Sequence, residues 1–310
     1  MTSENNNIHV RRVKPSLPMR LGSWLVTKQP KVFPEDGPGV RAAMESRDPP
    51  QDAPLPESIA KKLRVERSTA NGHDCVTLHP KTGPGAQHII YFHGGGFVIP
   101  MMEPHWPLVA KLVETTGASL TVPLYPVVPE ASHTEADALA DTIFERLSAE
   151  WKPEDIILCG DSAGGHMALS LALRLAAKDG PQAGKLVLFA PWLDLTLADP
   201  AIRDVEPNDI MLRIDALRAM GEMWAGDRDP ASPECSPLRA DVKGLPPTAI
   251  FQGQHDLFVI DARTFAARLR EAGIPVELYE YGGAPHVYMA LTFTGEAKDT
   301  FRLFDRFIKR

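Results

Sequence analysis

From about residue 75 onward the chain alternates short apolar runs with longer amphipathic stretches. The runs His88–Phe92, Ser119–Leu124, Asp155–Cys159, Lys185–Phe189, Thr248–Gln252 and Val276–Tyr281 predict strands. They lack clean period-two alternation, as expected when both faces of a parallel sheet are covered. Between them Leu108–Val113, Ala136–Leu147, Ala163–Ala177 and Phe265–Ala272 predict amphipathic helices, with Gly273 placed to close the last. Such alternation predicts an α/β fold with a mostly parallel central sheet flanked by helices.

Two regions break that rhythm. The first sixty residues are rich in proline, yet Leu17, Leu21, Trp24 and Leu25 fall at the spacing of one helical face. Pro18 fits such a helix only in its first turn. A second stripe, Ile210, Ile214, Leu217, Met220 and Trp224, lies between the strands starting at Lys185 and Thr248. Ligands of open α/β sheets bind beyond the carboxyl ends of the strands, so an insertion there is placed to cover a site. The expected organisation is a main domain over residues 66–310 with a helical cap. Residues 1–65 form the N-terminal part of that cap, and an insertion at about 200–235 completes it.

Composition narrows the function classes. A 310-residue chain with 44% hydrophobic and 24% charged residues is that of an ordinary globular protein. A net charge of -7 argues against nucleic acid as a partner. No apolar run is long enough to span a membrane, and the N-terminus lacks the uninterrupted apolar segment of a secretory signal. Cys75, Cys159 and Cys235 are too scattered for a disulfide framework or a zinc site. A cytoplasmic protein without metal or organic cofactor is expected.

Two glycine-rich stretches carry the chemistry. Tyr91–Pro100 reads YFHGGGFVIP, and Cys159–His166 reads CGDSAGGH. Three adjacent glycines in an ordered loop need a reason, because glycine loses more backbone entropy on folding than any other residue. Gly160-Asp161-Ser162-Ala163-Gly164 fits G-x-S-x-G between a predicted strand and a predicted helix. That context exposes a serine hydroxyl at a helix N-terminus, where negative charge is favoured. G-x-S-x-G alone arises by chance in roughly one chain of this length in ten. The HGGG string, far rarer, makes coincidence a poor account of the pair.

A serine nucleophile needs a base, and the base an orienting acid, in the chain order Ser, Asp or Glu, His. Of the 10 histidines only His255 and His286 lie well downstream of Ser162. His255 precedes its neighbouring carboxylate and violates the order, so His286 is the expected base. Asp256, just after the strand Thr248–Gln252, is favoured as the acid over Asp261, which suits a helix start; Asp194 lies too early.

With HGGGF (His93–Phe97), GDSAGG (Gly160–Gly165), PWLDLT (Pro191–Thr196) and, more weakly, YPVVPE (Tyr125–Glu130), the chain resembles the hormone-sensitive lipase-like carboxylesterases. These are the bacterial family IV branch of the α/β-hydrolases. The likeness runs from about residue 75 to the C-terminus. It implies an α/β-hydrolase fold and an oxyanion hole of backbone N–H groups from the HGGG loop and Ala163. Gly94, Gly95 and Gly96 are the loop candidates, and the resemblance points to Gly95 and Gly96. It also implies a structural role for His93 and Glu130, a mild expectation that Trp192 lines the pocket, and short- to medium-chain acyl esters as small-molecule substrates. Members often form homodimers, although no residue here specifies one. Lactone hydrolysis and deacetylation of a larger metabolite would use the same triad. A non-catalytic binding protein of this fold would typically have lost Ser162 or His286.

Overall fold

The computed structural model describes residues 8–178 and 180–310. Residues 1–7 of the expected cap, and Asp179, lie outside the described residues.

In chain order the elements begin with β1 (Ile8–Arg12), α1 (Leu17–Lys28), α2 (Gly37–Ser46), α3 (Glu57–Ala60), β2 (Arg64–Ala70) and β3 (His73–His79). Then follow β4 (His88–Phe92), α4 (His105–Thr116), β5 (Ser119–Pro123), α5 (His133–Glu150), β6 (Ile156–Asp161) and α6 (Ala163–Ala177). The chain finishes with β7 (Lys185–Phe189), α7 (Ile202–Val205), α8 (Ile214–Ala225), β8 (Thr248–His255), α9 (Val259–Glu271), β9 (Val276–Pro285) and α10 (Gly295–Ile308).

The strands form one sheet in the order β1-β9-β8-β7-β6-β4-β5-β3-β2. Among the described residues pairing is antiparallel only for β2 with β3 and β3 with β5, and parallel elsewhere. The weak alternation along the strands has its explanation in two separate cores. Ile90, Phe92, Leu158, Leu188, Ile250 and Leu278 face a core built with α5, α6, α8 and α9. Their chain neighbours Ile89, Tyr91, Ile157, Val187, Phe251 and Tyr279 face the opposite core, with α4 and α10. Both faces are dry, so successive residues are apolar.

All six expected strands are present. Three more join them: β1 at one edge of the sheet, and the β2–β3 hairpin at the other. Residues 8–12 therefore belong to the sheet, pairing parallel with β9 from Ile8↔Leu278 onward. The two expected helical stripes form α1 and, from Ile214 onward, α8, with Ile210 in the bend before that helix. Pro18 sits in the first turn of α1, whose N-cap Ser16 accepts the N–H of Met19.

The segment between β7 and β8 packs with the N-terminal helices. Gly37 of α2 lies so close to α8 that a Cβ there would stand 3.3 Å from that of Ala219. Arg41 pairs with Glu222 across the same junction. Arg47, just beyond α2, pairs with Glu130 and donates to the carbonyl oxygens of Val98 and Val128. The N-terminal segment is thereby tied to the loops that follow β4 and β5.

Candidate active site

Strand register decides which residues meet. Phe92, the last residue of β4, pairs with Gly160 of β6, so His93–Gly96 leaves the sheet beside Asp161 and Ser162. His255, the last residue of β8, pairs with Pro285, the last of β9. Asp256 and His286 are the next residues on those two strands and emerge side by side. His286 Nδ1 lies 2.8 Å from Asp256 Oδ2, with both side chains buried. The other Asp256 oxygen accepts the N–H of Phe258 at 2.9 Å. Asp261 instead sits on α9 and makes no hydrogen bond to His286; its Oδ2 is buried without a hydrogen-bond partner among the described residues.

Ser162 stands between β6 and α6 with φ 54° and ψ -121°, a strained conformation for a residue carrying a Cβ. Two neighbours make the turn possible. A Cβ on Gly160 would collide with the carbonyl of Gly164, and one on Gly164 with the carbonyl of Phe92. The turn is pinned through its backbone: the Ser162 N–H donates to Phe189 O at 2.9 Å, and its carbonyl accepts from Trp192 at 3.1 Å and His166 at 3.2 Å. The Ser162 hydroxyl has no hydrogen-bond partner among the described residues, so it is not committed to the scaffold. Bonds to a catalytic base commonly tighten only when substrate is bound.

The glycine loop is held from below by Asp161, which is buried. Its Oδ1 accepts the Tyr91 hydroxyl at 2.6 Å and the Gly94 N–H at 3.0 Å, and its Oδ2 faces His105 Nε2 at 3.5 Å. Burial works to raise the Asp161 pKa, but His105 and the hydrogen bonds of His105 and Tyr91 outweigh it and keep the group a carboxylate. His93 Nδ1 lies 2.7 Å from Gly94 O, its ring stacks on Tyr125, and the Tyr125 hydroxyl donates to His93 O at 2.7 Å. These contacts commit the N–H of Gly94 to Asp161. The N–H groups of Gly95, Gly96 and Ala163 have no acceptor among the described residues. Gly95 has φ 129°, a conformation that side chains rarely adopt.

The buried histidines differ in charge preference. Burial pushes His93 and His166 down to about 3 and His88 to about 4, so all three stay neutral. His286 is equally buried, but Asp256, then Asp209 and Asp161, outweigh desolvation and raise its pKa.

Asp209 is a component that sequence reasoning missed. It lies between α7 and α8, buried, with Oδ1 accepting from Met211 at 2.8 Å and Leu212 at 2.9 Å. Its Oδ2 accepts the N–H of Leu257 at 2.9 Å, the residue after Asp256. Burial first, and the Asp256 charge second, push its carboxyl up to about 6. No local signal marks it, because its partner is far along the chain.

Trp192, expected to line the pocket, has no exposed surface. It packs between Phe97 and Phe258, and its indole N–H donates to Asp194 O at 2.9 Å. Phe258 in turn meets the His286 ring edge-to-face, with the ring centroids 5.2 Å apart. Trp192 thus supports the wall behind the histidine and offers no surface to a ligand. Over the glycine loop lie Met220 of α8 and the Phe33 ring, 2.8 Å and 3.6 Å from where a Cβ on Gly96 would stand. Among the described residues no cluster of histidine, cysteine or acidic side chains is disposed to hold a metal ion.

The family profile for the alpha/beta hydrolase fold matches residues 89–290. The chain belongs to that family. This α/β-hydrolase is 35% identical over 199 residues to an esterase of Acinetobacter venetianus, covering 64% of this chain and 66% of that one. It is 29% identical over 194 residues to a triacylglycerol lipase of Mycobacterium tuberculosis, covering 62% of this chain and 39% of that one. The match therefore spans less than two thirds of the length of either relative. Among solved structures it is similar to a hormone-sensitive lipase from a metagenome library, with a TM-score of 0.78 at 27% identity over 96% of this chain and 99% of that one. The fold expected from the sequence is present, and no helix among the described residues is long and apolar enough to cross a membrane.

Proposed function

We propose that this α/β-hydrolase is a cytoplasmic serine carboxylesterase that hydrolyses short- to medium-chain acyl esters through an acyl-enzyme. The observation that carries the reading is the pairing of His286 with Asp256 at 2.8 Å, which makes His286 the buried histidine whose proton affinity is raised by a carboxylate.

In this mechanism His286 takes the Ser162 proton as the hydroxyl oxygen attacks the ester carbonyl. Asp256 holds the proton on Nδ1, so Nε2 is the basic atom, and it stabilises the imidazolium that forms. The carbonyl oxygen becomes an oxyanion received by the N–H groups of Gly95, Gly96 and Ala163, the last at the positive end of α6. His286 then protonates the departing alcohol, which leaves the acyl group on Ser162 Oγ. Water gives a proton to His286 and attacks the acyl carbon; the bond to Ser162 Oγ then breaks, His286 returns the proton to that oxygen, and the acid leaves. The segment around α8, with α2 packed on it, caps the site, and Met220 with Phe33 limits the space beside the glycine loop.

The test is turnover of p-nitrophenyl esters from acetate to palmitate, beside Ser162→Ala. The reading expects an optimum at short or medium chains and a loss of about 10⁴-fold or more in the variant. Turnover of lactones or acetylated metabolites alone would move the substrate class. Binding without turnover of any of them would overturn the esterase assignment.

A further inference from the structure

The apolar stripe of α1 faces water. Leu17, Leu21, Trp24 and Leu25 are 75%, 55%, 54% and 45% exposed. The helix is seated by its other side: Met19 and Gly22 are buried, and Gly22 lies against Leu291 and Phe293 in the loop that follows His286. The helix is therefore apolar on two opposite faces, and the protein uses one. Of the nine large hydrophobic residues exposed among the described residues, seven lie between Val10 and Val32. Scattered exposed leucines need no explanation, but concentration in one segment does.

Charge indicates what covers the ridge. The chain carries -7 overall, yet residues 8–34 hold Arg11, Arg12, Lys14, Arg20, Lys28 and Lys31 and no acidic residue. Arg11, Arg12 and Lys31 are paired with Asp299, Glu296 and Glu35. Lys14, Arg20 and Lys28 are exposed and have no ion-pair partner among the described residues. Lys28 Nζ stands 5.6 Å over the Trp24 ring, so a cation and an amphipathic aromatic share one edge of the ridge. Leucines and a tryptophan on one side, flanked by unpaired cations, are the makings of a helix that lies in a lipid–water interface. Tryptophan favours the headgroup level, and the cations meet anionic headgroups. A second copy of the chain fits less well: a two-fold contact through this face would bring the unpaired cations of one copy toward those of the other, with no acidic residue in residues 8–34 of either to meet them.

We infer that α1 docks this protein reversibly on an anionic phospholipid surface, with the Leu17–Leu21–Trp24–Leu25 ridge embedded and Lys14, Arg20 and Lys28 on the headgroups. Because α1 rests on the loop after His286, docking holds the candidate site close to the surface. Vesicle binding is read without turnover, so it stands or falls separately from the esterase reading.

The experiment is flotation of the full chain with vesicles of phosphatidylcholine alone and of phosphatidylcholine with 30% phosphatidylglycerol, at low and high salt. Binding is expected on the anionic vesicles and should fall as salt rises. Lys14→Glu, Arg20→Glu and Lys28→Glu should each weaken it about five-fold or more. Trp24→Glu should weaken it at least ten-fold with the thermal midpoint unchanged, since the side chain is already in water. Absence of binding to anionic vesicles overturns the inference. So does equal binding by the Trp24→Glu protein, or sedimentation showing that Trp24→Glu converts a dimer to a monomer while vesicles remain unbound.

Discussion

Asp209 and Asp256 are two buried carboxylates fastened to one turn: Asp256 lies 2.8 Å from His286 Nδ1, and Asp209 accepts the N–H of the very next residue, Leu257. The segment above the sheet thus holds the acid-bearing turn, and its negative charge adds to the field that raises His286. Asp209→Asn removes that charge and turns an amide group toward an N–H. The pKa of His286 then falls. Since His286, as the proposed base, must be neutral to accept a proton, the acid limb of kcat/KM should move to lower pH, with a loss of about ten-fold on the plateau. A pH profile of both proteins checks this, and an unmoved acid limb would remove Asp209 from the electrostatics of the site.

Gly95 provides the sharpest test of the proposed oxyanion loop. Its φ of 129° and the Ile99 carbonyl that a Cβ would strike leave no room for alanine. Gly95→Ala should lower kcat by about 10²–10³-fold while KM changes little, because the clash moves a backbone N–H that acts on the transition state. Steady-state kinetics with p-nitrophenyl butyrate would show it. A loss confined to KM would place Gly95 in substrate binding.

Met220 stands over Gly96 and is buried. Met220→Ala should lengthen the preferred acyl chain, raising the octanoate-to-butyrate ratio of kcat/KM about ten-fold, at a stability loss of about 2–4 kcal/mol. Chain-length profiles and urea unfolding measure the two effects separately. An unchanged profile would mean that the acyl chain leaves the loop by another route.

Asp261 predicts a pH dependence of stability. Burial first, then Asp194 and Asp199, pushes its carboxyl up to about 8 in the folded protein. In the unfolded chain it ionises near 4. Between those values the native state binds the extra proton, so this group makes stability fall as pH rises from about 4 to about 8. Asp261→Asn abolishes that fall. Its gain in Tm over the wild type should grow from pH 5 to pH 8, and a gain that is flat with pH would contradict the account.

What the sequence made legible follows from where each signal resides. β4, β7 and α6 begin and end where their apolar runs do, because both faces of those strands are dry and α6 is almost wholly buried. The β2–β3 hairpin lacks the apolar run that marks the other strands: β2 is a charged, largely exposed edge strand. Its turn was nevertheless written as Asn71-Gly72, both with positive φ, a two-residue hairpin signal. For α1 the 3.6-residue period foretold a helix but not its orientation, since periodicity cannot distinguish a core face from a docking face. Ser162, Asp256 and His286 stood out because strand ends and chain order constrain them. Asp209 and Met220 did not, because their partners are joined to them only by the fold.

The most direct measurement is the intact mass of the protein quenched within one turnover of p-nitrophenyl butyrate, followed by peptide mapping. The account predicts an added butyryl group on Ser162, released with the rate of the second step and absent from Ser162→Ala. Turnover with no adduct on Ser162, or undiminished turnover by Ser162→Ala, would contradict it.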